Sequence, residues 1–308
     1  MEILDTVLPV FLVIGLGAFL RARGFLDAVV RRALTRLVFY VSAPALLIVS
    51  TADTPVTESL NPRVLGAVIA VTVVTAFVTY ALSFRTAPAR RGVIAQGAHR
   101  SNMVFMGLPI LAYAQGDAAV GAAGVLIGVM VVVYNALAVV LLSLPHGRGD
   151  GGLARRGLAA VGEMGRNPLI IGCVVGLFLA VANLPIPLML DRALGLVGRT
   201  ALPLALLTVG ADLDFRDLRG DVVSTGAVAL VKLIVYPGLV ALALLALGLR
   251  GPALAAPVLL MASPTAVVSF VMAREMRGDH RLASSIVIGT TLASLVTYTA
   301  WLVVLRTG

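Results

Sequence analysis

The stretch "SNMVFMGLPIL", residues 101–111, decides how this chain is read. It lies in an apolar run long enough to cross a membrane, yet it carries an asparagine, a glycine and a proline, residues that weaken a helix or bring polar groups into it. Its surroundings set the frame. The chain is 59% hydrophobic and 13% charged, with a mean hydropathy of +1.02, whereas a soluble domain is about half apolar and a quarter charged. The apolar residues come in blocks near the ~20 residues that a helix needs to cross a hydrocarbon core. Strands of a membrane barrel would be half as long and alternating, so a barrel is excluded. The chain reads as an all-α integral membrane protein.

Ten candidate spans follow, at about residues 6–20, 33–52, 64–84, 93–113, 118–144, 167–184, 190–211, 222–248, 252–275 and 282–305. The longest connection, 145–166, is rich in Gly and Arg. It reads as a cytoplasmic linker between residues 1–144 (spans 1–5) and 167–308 (spans 6–10). Most arginines gather in alternate loops: Arg21 to Arg36, then Arg85, Arg90, Arg91 and Arg100, then Arg148 to Arg166, then Arg216 and Arg219, then Arg274 to Arg281. The positive-inside rule puts those loops in the cytoplasm and both termini outside, in an inner (plasma) membrane protein. The formal charge of +9 is therefore a topology signal, and no basic, aromatic-interleaved soluble domain exists to take nucleic acid. "MEILD" carries two acids and no base before the first apolar run, so that run is expected to remain as a span.

The two halves look like copies. "PVFLVIGLGAFL" (9–20) aligns with "PLIIGCVVGLFL" (168–179), matching Pro9 with Pro168 and Gly17 with Gly176. At the same offset "PALLIVSTAD" (44–53) aligns with "PLALLTVGAD" (203–212), matching Pro44 with Pro203 and Asp53 with Asp212. An odd number of spans per copy makes the second copy inverted, an arrangement that builds transporter sites at mid-membrane. Near that offset "FMGLP" (105–109) meets "LMASP" (260–264), so Pro109 and Pro264 are expected to break spans 4 and 9 opposite each other, flanked by Gly107, Ser263 and Thr265. Half-helix N-termini there would offer free N–H groups to an anion.

Three polar positions at span depth complete the reading. Asn102 is two helical turns before Pro109 and shares its face. Asn135 lies mid-span in "VVVYNALAVV", where an amide faces protein or a cavity; an interhelical hydrogen bond is the plainer account. Lys232, in "VALVKLIVYPG", is the chain's only lysine and sits too far from the inner end for comfortable snorkelling. No carboxylate is expected near the centre of any span, and His99, His146 and His280 fall near the inner loops and read as solvated.

The chain resembles the auxin efflux carrier family, within the larger bile acid and auxin transporter superfamily. The resemblance runs through "LVFYVSAPALLI" in span 2, "RSNMVFMGLPIL" in span 4, "ALPLALLTVGADL" in span 7 and "SPTAVVSFVMAREMRGD" in span 9. It implies a scaffold from spans 1, 2, 6 and 7 and a transport domain from spans 3–5 and 8–10. It also implies a crossover of the broken helices, an elevator-like motion, and site roles for Asn102, Tyr134 and Asn135. Dimers are usual among relatives. The sodium-coupled bile acid branch uses an acidic residue near the ninth-span crossover, where this chain has Thr265 and Ala266, which argues against obligate sodium coupling.

Other chemistry drops out. No Gly-Lys-Ser phosphate loop exists, since Lys232 is the sole lysine. Cys173 is single and the histidines lack ligand spacing, so neither disulfide nor metal is expected. An intramembrane hydrolase on Ser263 or Ser269 would lack a span-depth base. The expectation is a secondary carrier, neither enzyme nor cofactor protein, that moves a small organic anion such as a dicarboxylate or an auxin-like carboxylate across the bilayer. Its substrate would meet Asn102, Gly107, Pro109, Tyr134, Asn135, Lys232, Ser263, Pro264 and Thr265. The competing reading is an anion channel or membrane sensor that shares the fold.

Overall fold

The computed structural model describes residues 2–53, 61–144, 167–213 and 221–306. The expected linker at 145–166 lies outside the described residues, as do His146 and Arg148 to Arg166, Arg216 and Arg219. Among the described residues all regular structure is helical, apart from one isolated antiparallel bridge between Ser101 and Thr265. Six of the described stretches are long and apolar enough to cross a membrane: Ala28–Ala52, Pro62–Arg85, Ala118–Ser143, Leu188–Asp212, Val222–Ala246 and His280–Leu305. Four shorter apolar helices are Val7–Ala22, Met103–Gln115, Pro168–Val181 and Pro252–Met261.

Helix starts follow local chemistry. Asp27, Asn61, Asn167 and Asp221 accept hydrogen bonds from the first N–H groups of the helices they precede, and Pro62, Pro88, Pro168 and Pro252 occupy first-turn positions where a missing N–H is harmless. Among the described residues three helices widen to a π turn, at Val38–Ser42, Met103–Gly107 and Val231–Val235. Each turn ends two residues before a proline: Pro44, Pro109 and Pro237. The proline ring collides with the carbonyl a turn earlier, and the wider turn relieves it without breaking the helix. Pro109 is therefore not a helix break, contrary to the sequence expectation. It sits at the start of the helix Leu108–Gln115, which continues from the π turn.

The described elements are α1 (Glu2–Ala22), α2 (Ala28–Leu37), α3 (Ala43–Ala52), α4 (Pro62–Leu82), α5 (Pro88–His99), α6 (Leu108–Gln115), α7 (Asp117–Ser143), α8 (Pro168–Val181), α9 (Leu188–Gly198), α10 (Ala201–Asp212), α11 (Val222–Leu230), α12 (Tyr236–Ala246), α13 (Pro252–Met261), α14 (Val268–Glu275) and α15 (His280–Arg306). α1 packs on α10 and α3 on α8, both at backbone distance. A Cβ on Gly17 would lie 2.2 Å from the Leu207 carbonyl oxygen, and one on Gly176 2.7 Å from that of Ile48. In lipid, where apolar side chains gain little by leaving the tails, small residues that let backbones meet drive such pairing. The buried core centres on the two interrupted helices, with Met103, Met106, Leu108, Leu260 and Met261 among its members.

At the end of the helices that carries the arginine-rich loops, Arg31 pairs with Asp212 at 2.7 Å. Arg90 pairs with Asp221 and lies 3.6 Å from Asp279.

Candidate functional site

Two helices are interrupted in mid-course, and the interruptions meet. α5 ends at His99, Arg100 and Asn102 leave helical geometry, and the chain resumes at Met103. α13 ends at Met261 and α14 begins at Val268, with Pro264 between them. The two non-helical segments lie antiparallel. Asn102 N–H donates to the Pro264 carbonyl at 2.8 Å and Ala266 N–H donates to the Arg100 carbonyl at 3.1 Å. Backbone groups freed by the interruption are thus paired with each other, which makes it tolerable inside an apolar protein.

Ser101 and Thr265 face each other across this bridge, and each closes the other chain's helix end. Ser101 Oγ donates to the Met261 carbonyl at 3.0 Å, and Thr265 Oγ1 donates to the Gly97 carbonyl at 2.7 Å. Met261 is four residues before Thr265, and Gly97 is four before Ser101. The opposed pair is therefore Ser101 and Thr265, and the expected opposition of Pro109 to Pro264 is corrected. Thr265 N–H also donates to Thr290 Oγ1 at 3.1 Å, fastening the crossing to α15.

Lys232 has a definite partner set. Its Nζ donates to the Met261 carbonyl at 2.6 Å and to Ser101 Oγ at 2.9 Å, and lies 5.0 Å from the centroid of the Tyr236 ring. The side chain is 0% exposed, so it does not snorkel. The carbonyl end of α13 carries partial negative charge, and a cation placed on it is favourable.

Arg100 and His99 were expected at the loop, and both are buried instead. Arg100 is 5% exposed; its Nη2 donates to Asn135 Oδ1 at 2.6 Å and its Nη1 to the Tyr134 carbonyl at 3.3 Å, with Met272 Sδ at 3.2 Å. The buried His99 places Nδ1 2.6 Å from the Ala95 carbonyl, which makes Nδ1 the protonated nitrogen, and its ring centroid 5.9 Å from that of Tyr134. His280 is exposed, as expected.

The structure thus gathers most of the expected residues. Asn102 lies in one interruption, and Ser263, Pro264 and Thr265 lie in the other, all but Pro264's ring anchored by the bonds above or by Ser263 Oγ donating to the Leu260 carbonyl at 2.7 Å. Tyr134 and Asn135 hold Arg100. Gly107 lets the helix past the interruption approach α13, since a Cβ there would lie 3.0 Å from Leu260 Cδ2. Pro109 is buried but seven residues beyond the crossing. Sequence reasoning missed Arg100, His99, Ser101, Tyr236 and Thr72. The Tyr236 hydroxyl bonds to Thr72 Oγ1 at 2.7 Å and to the Tyr134 hydroxyl at 3.1 Å, and lies 3.0 Å from Met261 Sδ. Its spacing of four from Lys232 was the available signal, because residues i and i+4 share a helix face.

A cavity of about 1020 Å³ opens away from the arginine-rich end, between α3, α9 and α10 on one side and α6 on the other. Leu46, Ser50, Tyr113, Arg199 and Leu206 are on its walls, and no crossing residue is.

The chain matches the family described as membrane transport protein over residues 2–156 and 160–302. It is 28% identical over 320 residues to a Rhizobium meliloti (strain 1021) protein named "Putative malonate transporter", covering 100% of this chain and 97% of that one. It is 26% identical over 308 residues to an "Uncharacterized transporter" of Methanothermobacter thermautotrophicus, covering 98% of each. A shorter match, 30% over 148 residues, covers 45% of this chain and 25% of "Auxin efflux carrier component 6" of Arabidopsis thaliana. These are transporters and not enzymes. The chain belongs to the membrane transport protein family, the auxin efflux carrier group that its motifs resemble.

Proposed function

We propose that the protein is a secondary carrier of small organic anions, dicarboxylates or auxin-like carboxylates, with its site at the crossing of the two interrupted helices. The observation that carries this reading is the charge there. Arg100 and Lys232 are buried beside the crossing, and their partners are neutral oxygens and sulfur. No buried carboxylate accompanies them among the described residues. Cations kept without a carboxylate in an apolar interior are costly, and a bound anion offsets that cost. Asn102, Tyr134, Asn135, Ser263 and Thr265 supply the surrounding polar groups, with Gly107, Pro109 and Pro264 shaping the backbone. The names of the malonate and auxin relatives point to the same substrate class.

The same reading takes the chain as ten spans in two inverted repeats, with both termini outside the plasma membrane. The reciprocal closure by Ser101 and Thr265 supports the repeat, as does the equivalent backbone contact made by the aligned glycines Gly17 and Gly176. Spans 1, 2, 6 and 7 would form the scaffold and spans 3–5 and 8–10 the moving domain. The ion pairs respect that division: Arg31 with Asp212 joins spans 2 and 7, and Arg90 with Asp221 and Asp279 joins spans 4, 8 and 10. The cavity between α3, α9, α10 and α6 lies along the proposed sliding surface, where an elevator-like motion needs room.

The test is uptake of labelled malonate, malate and indole-3-acetate into liposomes holding the purified protein, with Asn102→Ala alongside. Saturable uptake of at least one anion, lost in Asn102→Ala, is expected. Flux that never saturates would replace the carrier with an anion channel, and no flux of any anion would remove the substrate class.

A further inference from the structure

We infer that the carrier is built for dianions and works as an exchanger, crossing readily only when loaded; this rests on the carrier reading above. The basis is a count of charge at the crossing. A guanidinium keeps its proton in proteins, so Arg100 contributes one positive charge. Lys232 places Nζ against two oxygens and toward the face of Tyr236, the surroundings of an ammonium. The two groups share one set of surroundings: Arg100 donates to the carbonyl of Tyr134, whose hydroxyl lies 3.1 Å from that of Tyr236, the ring under Lys232, and Lys232 donates to the hydroxyl of Ser101, the residue after Arg100. His99, its ring centroid 5.9 Å from that of Tyr134, donates Nδ1–H to the Ala95 carbonyl, while its buried Nε2 has no hydrogen-bond partner among the described residues; a second proton there would be an N–H without an acceptor, so the ring is counted as neutral.

No described carboxylate within salt-bridge distance answers either charge. Arg31 and Arg90, nearer the helix ends, differ in this respect: each has an aspartate. The empty site therefore carries two positive charges. Carrying them through the low-dielectric interior is unfavourable in proportion to the charge left uncancelled. A monoanion cancels one and leaves the other, whereas a dianion cancels both. The loaded site is then neutral and the domain crosses freely, while with the site empty it is held back until a second dianion binds. Exchange of one dicarboxylate for another becomes faster than net movement. Because the loaded site bears no net charge and one dianion replaces another, exchange is also indifferent to membrane potential.

The experiment uses liposomes containing the full protein, labelled malonate outside, and inside either buffer, malonate or monomethyl malonate, at a pH well above the carboxyl range so that malonate is doubly ionised. The ester retains the skeleton and removes one charge. Internal malonate is expected to accelerate uptake by about tenfold or more, a factor that corresponds to about 1.4 kcal/mol. Internal ester is expected to accelerate it little, and an imposed potential should leave malonate exchange unchanged. Arg100→Gln and Lys232→Met, checked for folding by gel filtration, should each shift preference from malonate toward the ester. Equal rates with and without internal malonate, or equal exchange of ester and malonate, would overturn the inference while saturable uptake left the carrier reading standing. The wild-type comparison decides the matter even if both variants fail to fold. If neither anion nor ester moves, the carrier reading falls and the inference with it.

Discussion

Ser101→Ala tests whether the crossing is held by a charge-assisted bond. Ser101 Oγ receives Lys232 Nζ at 2.9 Å and gives its own proton to the Met261 carbonyl at 3.0 Å. Alanine removes both contacts. The Met261 carbonyl retains Lys232 at 2.6 Å, so it remains paired, but the ammonium loses one of its two oxygens in a site it cannot leave for water. A hydrogen bond to a charged group contributes about 1.5–3 kcal/mol and a neutral one about 1 kcal/mol, so the loss is set at about 2 kcal/mol. Thr265→Val is the matched comparison. It removes the equivalent neutral bond to the Gly97 carbonyl, 2.7 Å long, and should cost about 1 kcal/mol. Denaturation in detergent can be followed by Trp301, the only tryptophan. Its Nε1 donates at 2.8 Å to the carbonyl of Leu233, the residue after Lys232. Labelling of the buried single Cys173 offers an independent probe of unfolding. If Ser101→Ala is as stable as the wild type, or more stable than Thr265→Val, the ammonium does not depend on Ser101 and the account of the crossing is wrong.

Three further outcomes are expected. Gly210→Ala places a Cβ 1.8 Å from the Ile14 carbonyl oxygen, a backbone atom that cannot yield, and should abolish monodisperse protein in gel filtration; Gly226→Ala, with nothing within 4 Å, should not. Tyr236→Phe removes the hydroxyl shared with Thr72 and Tyr134 and should lower stability by about 1–2 kcal/mol in the same denaturation assay, Thr72 keeping its bond to the Val68 carbonyl. Asp221 is held below the usual carboxylate range by the Ser224 N–H first, and then by Arg90 and the Ser224 hydroxyl. A carboxyl depressed on folding adds stability above its unfolded value of about 3.9, and that stability is lost as pH falls below it. Melting curves of the wild type should therefore show a loss below about pH 4 that Asp221→Asn lacks, with the variant less stable at neutral pH.

The crossing was half legible. Asn102, Ser263, Pro264 and Thr265 were picked out because polar or helix-breaking residues in an apolar run must be accommodated by something. Pro109 was misplaced for a physical reason: a proline in a helix can be absorbed by a π turn just before it, at Met103–Gly107, so its presence does not locate the break. Charge and an imidazole ordinarily mark helix ends, so the sequence alone places Arg100 and His99 at a loop. Only the folded chain shows that Asn135 and the Tyr134 carbonyl, from α7, and the Ala95 carbonyl await them inside.

What the amino-acid order determined alone was the membrane class, the helical segments and the family, because bilayer thickness and backbone hydrogen bonding leave an apolar chain few options. It also singled out Lys232, since one ammonium in an apolar run must be answered somewhere. Tertiary structure decided which groups answer it, where the two helices break, and that a second cation lies beside the first. Those are matters of distance between residues far apart in the chain, Ser101 with Thr265 and Lys232 with Met261, and neither hydropathy nor local periodicity carries that information.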